Sequence, residues 1–96
     1  MSKLIFAFED IVDGRIAVCI MSLEAWKETG MLTDGFNESE QVIANRAITG
    51  LNLQEITESS FDVATSKSKD EISRELLSFG IEFNQGLQDW INKGKL

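Results

Sequence analysis

The chain has 96 residues and a formal charge of −7, from sixteen acidic and nine basic side chains, which is enough for one domain with a modest core. Its 43% hydrophobic and 26% charged content is that of a globular protein, which excludes disordered and fibrous classes. Its apolar runs, such as Leu4 to Phe8, are far too short to span a bilayer, so no membrane association is expected.

The first element is set by Asp13-Gly14, a favoured two-residue hairpin turn because type I′ geometry needs positive φ at both central positions. A hairpin about that turn puts Val12 opposite Arg15 and Phe8 opposite Cys19. One face then holds Leu4, Phe6, Phe8, Ala17, Cys19 and Met21, and the other holds Ile5, Ala7, Ile11, Ile16, Val18 and Ile20. A half-solvated ribbon alternates apolar with polar residues, and this one does not. Both faces therefore need cover, and we expect the chain itself to supply it.

Ser22 is placed to cap a short helix from Leu23 to Thr29, closed by Gly30. Residues 31–36 read as a loop around a second Asp-Gly pair. Asn37 and Glu40 have the spacing of a capping box for a helix over Glu38 to Thr49, with Gly50 as its C′ residue. Its buried stripe is predicted to be Ile43, Ala44, Ala47 and Ile48, with Leu51 closing the end. Residues 52–65 carry Ile, Thr, Phe and Val with weak alternation and read as a third, edge strand.

Ser68 and Glu71 form another capping-box pattern, ahead of helical periodicity from Asp70 to Asn92. Ile72, Leu76, Phe79, Phe83, Leu87 and Trp90 recur at spacings of three and four and make one stripe. At about 100° per residue, Leu77 and Ile81 fall away from that stripe, together on the face expected to be wet. Gly80 interrupts the pattern, either as a bend or as a point of close backbone approach. The expected order is β-β-α-α-β-α, a single α+β domain over 1–96. Its small antiparallel sheet combines the N-terminal hairpin with a third strand and is packed by a long C-terminal helix.

The chain has no histidine and no tyrosine, which removes imidazole acid–base chemistry, Ser-His and Cys-His nucleophile pairs and histidine metal sites. Cys19 lies within an apolar run, where a thiol behaves as a small hydrophobe. Glu9 and Asp10 point to opposite sides of a strand. The run from Asp34 to Glu40 lacks the alternating order of a calcium loop. No phosphate-binding or dinucleotide glycine motif occurs. No catalytic activity, metal or cofactor is expected.

The charge is uneven: residues 1–62 hold eleven acids against four bases, whereas residues 63–96 hold five of each. Such a field repels phosphate backbones, so direct nucleic-acid binding is not expected, while a protein partner with a basic surface is. Cys19 has no cysteine to pair with, and the N-terminal residues lack a secretory signal pattern, so a cytoplasmic location is expected. This profile is that of a small acidic, non-catalytic protein that inhibits or regulates a partner by covering it. Some phage-encoded inhibitors of nucleic-acid-binding host defence complexes are of this kind, although no motif ties the chain to them. The expected contact set is Glu24, Glu28, Asp34, Glu38 and Glu40, with Trp26 as anchor. The alternative is a self-associating assembly subunit, a homodimer joined through Leu77, Gly80 and Ile81.

Overall fold

A computed structural model describes residues 3–12, 14–29, 37–55 and 62–93. In chain order these form β1 (Leu4–Val12), β2 (Arg15–Ser22), α1 (Leu23–Thr29), α2 (Glu38–Gly50), β3 (Gln54–Glu55), β4 (Asp62–Thr65), α3 (Lys69–Ser78), β5 (Ile81–Phe83) and α4 (Gln85–Asn92). The strands make one mixed sheet in the order β3-β4-β2-β1-β5. All neighbours run antiparallel except β1 and β5, which are parallel. The chain is an α+β fold, as its sequence pattern implies.

The hairpin forms at the expected turn, with Gly14 at φ +76° and Val12 opposite Arg15. Further along, the register changes. Phe8 faces Val18, not Cys19, because Glu9 and Asp10 of β1 together span what Ala17 alone spans in β2. This is a β-bulge, and one extra residue carries every later side chain of the partner strand to the opposite face. The expected face assignment of β2 is therefore inverted. Val18 and Ile20 share a face with Leu4 and Phe6, while Cys19 and Met21 share one with Ile5 and Ala7.

Each face has its own core. On the first, Leu4, Phe6, Val18, Ile20 and Val63 lie beneath Ala44, Ala47 and Leu51 of the α2 region and Ile72 and Leu76 of α3. On the second, Ile5, Ala7, Cys19 and Met21 lie beneath Leu87, with Leu23, Trp26, Trp90 and Ile91 packed around them. Helices α2 and α3 thus cover one side, and α1 and α4 the other. The second face is closed within the chain, as expected.

Helix α2 has the expected stripe, with Ala44 and Ala47 fully buried and Ile43 and Ile48 packed alongside. Its end differs by two residues. Gly50 is still helical, Leu51 is the C-cap and Asn52 takes the left-handed position at φ +56°. Asn52 N–H donates to the Thr49 carbonyl at 3.3 Å and Leu53 N–H to the Ile48 carbonyl at 2.9 Å. This is the paired-bond Schellman termination, which asparagine tolerates without a glycine. The expected third strand is in fact two short strands, β3 and β4, paired antiparallel, and β3 is the one at the edge.

The long C-terminal helix is the largest departure. It stops at Ser78, capped by Phe79, and Gly80 at φ +83° donates its N–H to the Leu77 carbonyl at 2.9 Å. A Cβ on Gly80 would meet nothing within 4 Å, so the positive φ alone calls for glycine here. Gly80 neither bends a continuing helix nor admits another backbone. It ends α3 and releases Ile81–Phe83 to pair with Leu4–Phe6. Asn84 then caps α4, its side chain accepting from Leu87 N–H at 2.8 Å. The apolar stripe is consequently divided, with Ile72 and Leu76 in one core and Leu87 and Trp90 in the other.

Helix α4 also completes the sheet. Beyond the end of β5, Phe8 N–H donates to Gln88 Oε1 and Gln88 Nε2 donates to the Phe8 carbonyl, both at 2.8 Å. The side-chain amide stands in for the peptide unit of a missing strand. Two residues earlier in α4, a Cβ on Gly86 would lie 2.9 Å from the Trp26 ring and 3.2 Å from Asn84 Oδ1. Gly86→Ala is therefore expected to destabilise the fold by about 1–3 kcal/mol through overpacking. In urea unfolding, the same change made in a Trp26→Leu background should cost less than half as much. Equal costs in the two backgrounds would show that the ring is not the obstacle.

Candidate protein-binding surface

The surface is organised by one buried carboxylate. Strand β2 ends at Ser22, whose hydroxyl donates to Glu40 Oε2 at 2.9 Å. The other oxygen, Oε1, accepts from Asn37 N–H at 3.0 Å, and Glu40 N–H returns a bond to Asn37 Oδ1 at 2.9 Å. The capping box predicted from the spacing is thus complete. Glu40 is 1% exposed, because it falls four residues before Ala44 on the buried stripe of α2. Its role as a contact residue is corrected: it faces inward and ties the start of α2 to the end of β2.

That tie joins the end of β2, where α1 begins, to the first turn of α2. Glu24 lies two residues beyond Ser22 and Glu38 two residues before Glu40, and both are exposed. The acidic side chains in the first turn of α2 also complement its dipole. Of the expected set, Glu24 on α1 and Glu38 on α2 are exposed. Glu28 lies in α1, with its side chain outside the described residues, and Asp34 lies outside them altogether.

Trp26 is half-buried and packs with Leu87, Trp90 and Ile91, its ring lying over Gly86. It joins α1 to α4 and is not a free-standing anchor. Its indole Nε1 is buried with no hydrogen-bond partner among the described residues.

The three residues expected to mediate self-association are separated. Leu77 is 57% exposed on α3, whereas Ile81 is fully buried in the first core, on β5. Gly80 is the turn between them. The helix break at Gly80 rotates Ile81 inward, so the expected two-residue apolar patch does not form. Another exposed apolar group, Phe83, sits on β5 with its ring edge-on to Phe6 at 5.7 Å. Lys69 Nζ stands 5.4 Å from the neighbouring Phe8 ring.

For chemistry, Cys19 is a buried thiol between strands. Ser22 has a carboxylate partner but is 3% exposed, which leaves no approach for a substrate. Among the described residues no three metal-ligating side chains cluster, and no helix is long and apolar enough to cross a membrane. No family model matches the sequence, and no match was found among curated proteins or solved structures.

Glu40→Ala removes the acceptor for both a buried hydroxyl and a cap N–H and is expected to cost about 2–4 kcal/mol. Glu38→Ala should stay within about 0.5 kcal/mol, as exposed substitutions do. Thermal and urea unfolding of the two variants check this, and similar losses for both would remove Glu40 from its organising role. Because Ile81 is inside, Leu77→Asp is expected to leave the sedimentation coefficient unchanged. A shift to a lighter species would restore Leu77 as a self-association contact.

Proposed function

We propose that the protein is a small acidic, non-catalytic binding protein that captures a protein partner through a basic surface and inhibits or regulates it by covering that surface. The observation that supports this reading is the exposure of the carboxylates Glu24 and Glu38, each two residues from a member of the buried Ser22–Glu40 bond. Complementary fields accelerate encounter. The uneven distribution of acids along the chain gives the same sign to the wider surroundings.

The partner class follows from the charge. A surface that attracts phosphate backbones is also one that this face fits, so the partner is a nucleic-acid-binding protein or complex. A phage-type inhibitor of a host defence complex working in the cytoplasm has this chemistry. Direct nucleic-acid binding is disfavoured by the same field.

The test is affinity capture from a lysate of the encoding host, with wild type and a Glu24→Lys/Glu38→Lys variant run at low and high salt. Wild type should retain a partner at low salt and release it at high salt, because exposed charge pairs are screened. The variant should retain at least about tenfold less, with unfolding behaviour close to wild type. Equal retention by the two proteins would overturn the assignment of this surface. Glu40 is not altered in this test, since its change would act through folding.

A further inference from the structure

We draw no further inference here: the strongest candidate, the surface patch on β5 where the exposed Phe83 ring meets Phe8 and the Lys69 ammonium, is an unpartnered apolar face, and nothing in the structure shows what covers it.

Discussion

Strands β1 and β2 bury apolar side chains on both of their faces, and everything else in the molecule answers to that. Full burial of an aliphatic side chain contributes roughly 1.5–3 kcal/mol, whereas the net stability of a domain is about 5–15 kcal/mol. A sheet covered on one side only would leave Ile5, Met21 and their neighbours in water and forfeit much of that margin. Among the described residues the helices have 7, 13, 10 and 8 residues, none of which can cover a face alone. Two are assigned to each side, and the connections are shaped to deliver them. The bulge at Glu9–Asp10 decides which strand residues each pair meets.

How much of this could be read from the sequence depended on how local the cause was. The Asp13-Gly14 turn, the start of α1, the Asn37–Glu40 cap and the α2 stripe are dictated within a few residues and were legible. The bulge was not, because its cause is the fit between two strands and nothing in Glu9-Asp10 marks an unpaired residue. The C-terminal stripe misled for a different reason. Ile72 to Trp90 keep helical spacing across a strand, although Phe79-Gly80 is an ordinary helix stop and Asn84 an ordinary start. Glycine followed by alternating Ile-Glu-Phe, then asparagine, was the signal that periodicity outweighed.

The same distinction holds for the surface residues. Glu24 and Glu38 were identifiable as exposed acids from their helix positions. Glu40 was misassigned because a capping glutamate is commonly solvated, and only the tertiary position of Ser22 draws it inside. Trp26 followed the opposite path from Leu77: one is drawn into the second core by the glycine facing it, the other is left outside once the helix ends early.

The Gln88 amide on Phe8 has a bearing on solubility. An open rung of peptide groups beside a greasy strand invites other copies of the chain to zip onto it, the first step toward fibrils. Here a single glutamine plugs that rung from within, where a longer β5 would otherwise have been required. Along that stretch of β1 the edge is thus closed by one uncharged side chain, a device separate from electrostatic repulsion between copies.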